Sequence, residues 1–429
     1  MNVNHLLIAL IVLLYSCNQS SSRNSDSSES STLSNPESVG MISDSLDNIE
    51  KHVQWAIDSQ FISGGVALVA RNDEIIYHKA IGYSDREKSE KLTTDHIFRM
   101  ASMTKPVTTV AVMQLYEQGK INLDDPVSKY IPEFANPRVI ENFNEQDSSY
   151  TTRPAEQEIT IHHLLTHTSG LAYGWEPIAG PINAEFGIVE GWTKDSVLLE
   201  DNARKMGALP LLHDPGTKWT YGTSIDVLGR VVEIVSGLPL DQYFAQNIFE
   251  PLNMNDTYFY LPGEKSDRLV EVWFTSGIDV NNLPDFISGD YPISGHQTYF
   301  PGGAGLSSTS MDYYQFASAL INKGEWNGSR ILKEETVELM MSNQIDNLFI
   351  NDEAQFGYGG SVHTNSGTYG RITGRFGWSG FWQTVYWIDP QRDIIGILLT
   401  NAINTPKWDE LLGGYEGIVN RSVADPTIN

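Results

Sequence analysis

The stretch Phe98-Arg99-Met100-Ala101-Ser102-Met103-Thr104-Lys105-Pro106 runs directly into a long apolar segment, and this junction constrains the fold more than any other feature. Val107, Val110, Ala111, Met113, Gln114 and Leu115 continue one periodic face until Gly119 stops it, so a helix begins close to Ser102. With Ser102 in the first turn, Lys105 returns to the same side three residues on. The hydroxyl then has an amine beside it to take its proton. It also lies at the positive end of a helix, where a developing alkoxide is stabilised. A serine followed by lysine at this spacing arises about once by chance in so serine-rich a chain. A helix start with a surface lysine explains the spacing equally well. The chemical reading needs a second base, an oxyanion site and a covering domain from elsewhere.

The 429 residues suffice for one large core or two modest ones, and 40% hydrophobic with 19% charged residues is a globular composition. The formal net charge of -26 argues against a nucleic-acid partner, because no Lys/Arg stripe exists to neutralise phosphates. At the N-terminus, Leu6 to Leu14 is too short for a bilayer span but suits the apolar region of an export signal. It leads into Leu14-Tyr15-Ser16-Cys17, and Cys17 is the chain's single cysteine, so no internal disulfide forms. From Asn18 to about Asn35 the chain is polar with almost nothing to bury, a disordered tether.

Folded sequence is expected from about Ser43, in a first helix reaching Gln60. Two strands follow, Val66 to Ala70 and Glu74 to Ile81, joined by a tight turn at Arg71-Asn72-Asp73. Residues 136–158 read as a polar surface loop, and Thr160 caps a short helix ending at Gly170. Amphipathic helices are expected over Asp195 to Met206, Ser224 to Val235 and Leu240 to Ile248, with long loops over 260–300. Thr309 and Asp312 cap a helix from Tyr313 to Lys323, and another helix spans Glu334 to Met341. Phe381 to Ile388 and Ile394 to Thr400 read as strands, before a final helix near Trp408 to Ile418. The order implies an α/β (α+β) fold: one antiparallel sheet built from both chain ends, flanked by helices, with a mostly helical section inserted. The expected division is a signal and lipidation segment at 1–17, a tether at 18–42 and one folded domain at 43–425. Within that domain, 43–105 and 300–425 make the α/β part and 106–299 the helical part.

Ser102-Met103-Thr104-Lys105, Tyr221-Gly222-Thr223 and Trp378-Ser379-Gly380 resemble the three active-site elements of one serine-hydrolase family. It contains the class C β-lactamases, D-stereospecific peptidases and related esterases, with a β-lactamase/transpeptidase-like fold. The phrases Ile161 to Leu171 and Pro301 to Thr309 also resemble segments common there, and together the matches cover roughly residues 45 to 420. Leu14 to Cys17 similarly resembles a bacterial lipobox, although Tyr15 is bulky and no Lys or Arg precedes Leu6. That resemblance implies lipidation at Cys17 and an exported protein anchored to a membrane of the bacterial cell envelope, facing periplasm or exterior. An ordinary cleaved signal, leaving a soluble periplasmic or secreted protein, is the alternative.

The family resemblance implies that Ser102 is the nucleophile of an acyl-enzyme, Lys105 its base and Tyr221 the second proton carrier. The backbone amides of Ser102 and Phe381 would form the oxyanion hole, with Gly380 permitting close approach. Trp378 stands where β-lactamases and D-peptidases of this type carry Lys or His for a substrate carboxylate. An indole offers one N–H and no charge. Trp378 and Trp382 are therefore expected as walls of an apolar acyl pocket, which favours small uncharged esters. The same machinery also admits β-lactams or D-amino-acid peptides, and a non-catalytic binder of cell-wall fragments is a third reading. Thr223, where the family often has Asn, is expected to cap the next helix with Asp226. His163 and His167 lie four apart, but no third ligand follows, and no glycine run fits a nucleotide loop. Neither a metal nor a cofactor is expected. His167 is expected to bond a carbonyl near Gly170.

Overall fold

The computed structural model describes residues 33–274, 291–349, 351–403 and 405–424. Cys17, the apolar run before it and the tether up to residue 32 lie outside the described residues, as do residues 275–290 of the loops expected over 260–300. Seven strands form one antiparallel sheet: β1 (Gly64–Arg71), β2 (Glu74–Gly82), β3 (Ala354–Phe356), β4 (Ser361–His363), β5 (Phe376–Gly380), β6 (Thr384–Asp389) and β7 (Ile394–Leu399). Their order is β3-β4-β5-β6-β7-β1-β2, so a hairpin from the start of the domain completes a sheet made by its end. The turn between β1 and β2 is Asn72-Asp73, both at positive φ, the conformation whose twist matches a tight hairpin.

Both faces of the sheet are covered. Along β1, Val66 and Leu68 enter one core while Ala67 and Val69 enter the other, the period of two that a strand imposes. The helices that matter to the site are α1 (Asn48–Asp58), α2 (Thr104–Glu117), α3 (Ile161–Leu165), α4 (Ser224–Ser236), α5 (Ser310–Ile321) and α6 (Trp408–Arg421). Val53 and Ile57 of α1 join Leu411 and Tyr415 of α6 against Ala67, Val69 and Trp387. The Tyr415 hydroxyl sits 2.8 Å from the Leu68 carbonyl and 2.9 Å from that of Ile397, tying α6 to the sheet centre. On the other face, Val107 and Val110 of α2 and Phe316 of α5 pack with Val66, Leu68 and Tyr386.

Every residue of α2 from Thr104 to Leu115 is buried. The single periodic face visible in the sequence is therefore only part of its contact surface; α2 lies between the sheet and the inserted helices. Two of its polar side chains are matched rather than solvated: Thr108 donates to the Gly302 carbonyl at 2.6 Å, and Gln114 Nε2 donates to those of Asn247 and Ile331, while Thr109 Oγ1 and Gln114 Oε1 are buried without a partner among the described residues.

Two expectations are corrected. Arg138–Phe143 and Tyr150–Pro154 form an antiparallel hairpin rather than a loop; its side chains are mostly not buried, so no apolar alternation marks it. The strand expected from Phe381 begins at Thr384. Phe381 to Gln383 form a turn, closed by Gln383 N–H on the Gly380 carbonyl with Gln383 at φ 63°, and Trp378 belongs to the strand before it.

Candidate active site

Ser102 sits in a tight 3-10 turn, Ala101–Met103, that continues into α2 at Thr104. Ala101 is held at φ 45°, a conformation unfavourable to a side chain, which persists only where the surroundings enforce it. Here the glycine-rich segment before α5 supplies that enforcement. Met100 N–H bonds the Leu306 carbonyl at 2.8 Å, Leu306 N–H bonds Thr104 Oγ1 at 3.0 Å, and Phe98-Arg99 pairs with Ser307-Ser308.

Lys105 is fully buried, and its Nζ lies 3.1 Å from Ser102 Oγ, 3.1 Å from Tyr173 Oη and 2.7 Å from the Gly303 carbonyl. A neutral amine has two N–H donors and one lone pair. Gly303 and Tyr173 can occupy the donors, leaving the lone pair for the Ser102 hydroxyl. Tyr221 meets Lys105 differently from expectation. The ammonium position lies 4.7 Å from the Tyr221 ring centroid, and the Tyr221 hydroxyl accepts from Trp378 Nε1 at 3.3 Å. The phenol hydrogen-bonded to Lys105 is Tyr173, which the sequence reading did not single out.

The two tyrosines have distinct environments. Tyr173 is buried, and desolvation first, then the Asp226 carboxylate, hold its pKa well above the usual phenol value. It therefore stays neutral and holds Lys105 in place. Tyr221 borders the cleft in partial contact with solvent. Its loop is fixed on His167, itself buried at φ 56°: Thr220 N–H bonds the His167 carbonyl at 2.8 Å and Gly222 N–H bonds Nδ1 at 3.4 Å. The imidazole packs 4.8 Å from the Tyr221 ring, and burial, then Lys105, depress its pKa. Thus the His167 ring serves the Tyr221 loop rather than a carbonyl near Gly170. His163 closes a reciprocal cap with Thr160 at the start of α3.

The cap expected from Thr223 and Asp226 does not form. Thr223 makes no side-chain cap bond, and its buried hydroxyl has no hydrogen-bond partner. Asp226 Oδ1 instead accepts the Gly303 N–H at 3.1 Å, so one residue links a buried carboxylate to the carbonyl that Lys105 contacts. Burial lifts Asp226 to a pKa of about 6 against the opposing effects of Lys105 and the Gly303 N–H. An acid amid Ile225, Val227 and Leu228 was the available signal that it faces a buried polar group rather than water.

At the end of β5, a Cβ on Gly380 would lie 2.2 Å from the Met100 carbonyl, so only glycine allows this strand to pass so close to the Ser102 turn. Ser102, Gly380 and Phe381 consequently line one cleft of about 380 Å³, together with Trp175, Tyr221 and Trp378. Trp382 is not a wall of it. Its side chain is 1% exposed and turned into a separate core with Ala101, Trp192, Tyr291 and Ile403, because it occupies the middle of the turn after β5. Phe381, 43% exposed, and Trp175, 62% exposed, provide the aromatic rim instead.

Comparison with known proteins places the chain in a family. Residues 47–412 match the family model described as Beta-lactamase. The chain is 31% identical to Protein Rv1367c of Mycobacterium tuberculosis over 82% of its own length and 89% of that protein's. It is 39% identical to Esterase EstB of Burkholderia gladioli over 48% of this chain and 49% of that one. Among solved structures, EstCE1, a hydrolase with promiscuous acyltransferase activity, superposes with a TM-score of 0.74 at 30% identity, covering 89% of this chain and 99% of that chain. The chain belongs to the β-lactamase family of serine hydrolases.

Proposed function

We propose that this protein is a serine esterase acting on small uncharged acyl groups. One observation carries the choice within the family: among the described residues none lining the Ser102 cleft bears a charge, and Trp378 directs its only polar hydrogen at Tyr221. A substrate carboxylate finds no cation there, whereas an apolar acyl group gains by burial against indole and phenyl faces. EstB and EstCE1 support an ester-cleaving reading by similarity.

In this reading Ser102 Oγ attacks the ester carbonyl as its proton passes to the neutral Lys105 amine. The negative charge on the carbonyl oxygen is met by the amides of Ser102 and Phe381. Collapse breaks the bond to the alcohol, which leaves with a proton delivered through Tyr221. Water then adds to the acyl-enzyme by the same route in reverse, returning Ser102 and releasing the acid. Lys105 and Tyr221 act as a coupled pair, since the ammonium formed in the first step faces the phenol ring.

The test is kcat/KM for an uncharged p-nitrophenyl ester, a D-alanyl-D-alanine peptide and a cephalosporin on the same preparation. The ester is expected to lead. A lead of more than about tenfold by either other substrate, roughly 1.4 kcal/mol in the transition state, replaces the esterase with a peptidase or β-lactamase. Turnover of none of the three, with Ser102→Ala indistinguishable from wild type, leaves the binding-protein reading.

A lipid anchor at Cys17 is the second part of the proposal, supported by the apolar Leu6 to Leu14 run and the polar segment behind it. Cys17→Ser is expected to move the protein from the membrane to the soluble fraction with its hydrolytic activity intact. Equal membrane retention of both forms rejects the anchor.

A further inference from the structure

A second cavity, about 450 Å³, adjoins the cleft and shares Trp378, Ser379 and Trp408 with it. Its chemistry is different. Where the first has no charged wall, the second is bordered by Arg371, Arg375, Glu416, Glu353 and His363. Glu416 is committed: it accepts Arg371 Nε at 2.8 Å and Arg375 Nη2 at 3.1 Å, and also bonds Arg375 Nε. Glu353 uses one oxygen, Oε1, for the Thr368 N–H at 3.0 Å and hydroxyl at 2.7 Å.

Several polar atoms remain uncommitted. Among the described residues Arg371 hydrogen-bonds protein only through Nε, with its guanidinium over the Tyr369 ring at 5.4 Å, and its side chain is 23% exposed. His363 is 5% exposed, yet its Nδ1 has no hydrogen-bond partner. Burial and the two arginines keep this imidazole neutral, with a pKa near 4. The second oxygen of Glu353 accepts no bond. The part-exposed Arg371 and Glu353 can face a ligand that hydrogen-bonds, whereas His363 Nδ1 is itself buried.

The charges decide the ligand class. Two arginines stand against Glu416 and Glu353, with the exposed Asp409 at the border, so no positive surplus recruits a carboxylate or phosphate. The buried carboxylate is already held by arginine, so an ammonium group lacks a free counter-ion in the interior. What remains in the interior is a set of paired charges and neutral groups, with the part-exposed Glu353 and exposed Asp409 toward solvent, beside the aromatic rings of Tyr369, Trp378 and Trp408. Faces of this kind suit an apolar ring surface, and the polar atoms suit hydroxyls on its edge.

We infer that this chamber receives the alcohol portion of the ester, and that this alcohol is a neutral polyhydroxylated ring, a sugar or sugar-like polyol. The inference rests on the esterase reading for its chemistry. The bond from Ser102 Oγ to the acyl carbon forms, the bond from that carbon to the sugar oxygen breaks, and the sugar oxygen takes the proton. Water subsequently cleaves the acyl-enzyme. Gly377 borders the chamber and Gly380 the cleft, three residues apart along β5 or about 10 Å. The chamber thus continues from the cleft along β5, with room for an alcohol of ring size.

The decisive comparison uses methyl 6-O-acetylglucopyranoside and cyclohexylmethyl acetate, which share an acyl group and a ring on a primary carbon but differ in hydroxyls. The full-length protein is expected to favour the sugar ester at least tenfold in kcat/KM. Arg371→Ala, which leaves Arg375 on Glu416, and Glu353→Gln are each expected to lower the sugar ester about tenfold while ethyl acetate, whose two-carbon alcohol does not fill the chamber, stays within twofold. Equal or better turnover of the cyclohexyl ester overturns the inference, as does a parallel loss on all substrates. Binding is read separately from tryptophan fluorescence of Ser102→Ala titrated with the sugar ester. A saturable change, lost when Arg371→Ala is added, supports the chamber; no saturable change overturns it. Saturable binding with no ester turned over by the wild type sinks the esterase reading alone.

Discussion

Adding one methyl group at Gly380 tests the oxyanion assignment without touching a reacting side chain. Its Cβ would lie 2.2 Å from the Met100 carbonyl oxygen and 2.3 Å from Thr384 Oγ1. The threonine can rotate, but the carbonyl belongs to the backbone that places Ser102 and is braced by Leu306. Relief therefore moves the end of β5 away by about 1 Å, since carbon contacts settle well beyond 3 Å. An oxyanion donor acts at 2.7–3.1 Å, so a displacement of that size removes the Phe381 amide from useful range. Loss of one such donor costs about 100- to 1000-fold in kcat, or roughly 3 to 4 kcal/mol. Gly380→Ala is accordingly expected to lower kcat for p-nitrophenyl acetate by at least 100-fold. KM should change much less, because the aromatic walls that bind the ground state remain. Overpacking should cost about 1–3 kcal/mol of stability, measured by urea unfolding. A folded Gly380→Ala enzyme with kcat within threefold of wild type would refute the placement of the Phe381 amide in the oxyanion hole.

Trp378→Phe keeps an aromatic wall but deletes the hydrogen bond to Tyr221 Oη; kcat is expected to fall several-fold with KM nearly unchanged, and a pure KM effect would reduce Trp378 to a wall. Asp226→Asn tests the buried carboxylate. Its folded pKa of about 6 exceeds the reference 3.8, so the folded state binds the proton more tightly and stability is lost as pH rises between those values. The differential is roughly 3 kcal/mol, fully felt above about pH 7. Relative to wild type, the asparagine variant should therefore gain stability between pH 4 and pH 8 by up to about that amount in urea unfolding; a pH-independent difference would refute the shift.

The legible parts of the chain were those where one residue type has one physical use. The β1–β2 hairpin follows from an apolar run, an Asn-Asp turn and a second run; the structure builds it with both turn residues at positive φ. Ser102 and Lys105 share a helix start because their spacing leaves little choice, and Gly380 is glycine because a backbone passes against it. Trp382 was misplaced because an indole suits a pocket wall and a core equally, and the turn at Phe381 to Gln383 that decides between them carries no proline or glycine. The hairpin at 138–154 escaped notice since a strand without a buried face has no period-two signature. Tyr173 and Asp226 reach Lys105 only through contacts 68 residues away in one case and through Gly303 in the other. Such convergence is a property of the packed chain and not of any window of sequence.

That convergence also explains why the site uses two tyrosines. Among the described residues no carboxylate hydrogen-bonds Lys105; Asp226 bonds the Gly303 peptide whose carbonyl Lys105 contacts. Gly303 and Tyr173 satisfy the amine with neutral acceptors, and burial keeps Tyr173 from ionising. Tyr221 is then free of that holding duty. It borders the cleft with its ring toward Lys105 and its hydroxyl accepting from Trp378, and in the proposed mechanism it also serves the departing alcohol. Exchanging the two environments would give a solvent-facing clamp and a buried proton carrier without access to substrate, so the difference in burial sets which phenol does which work.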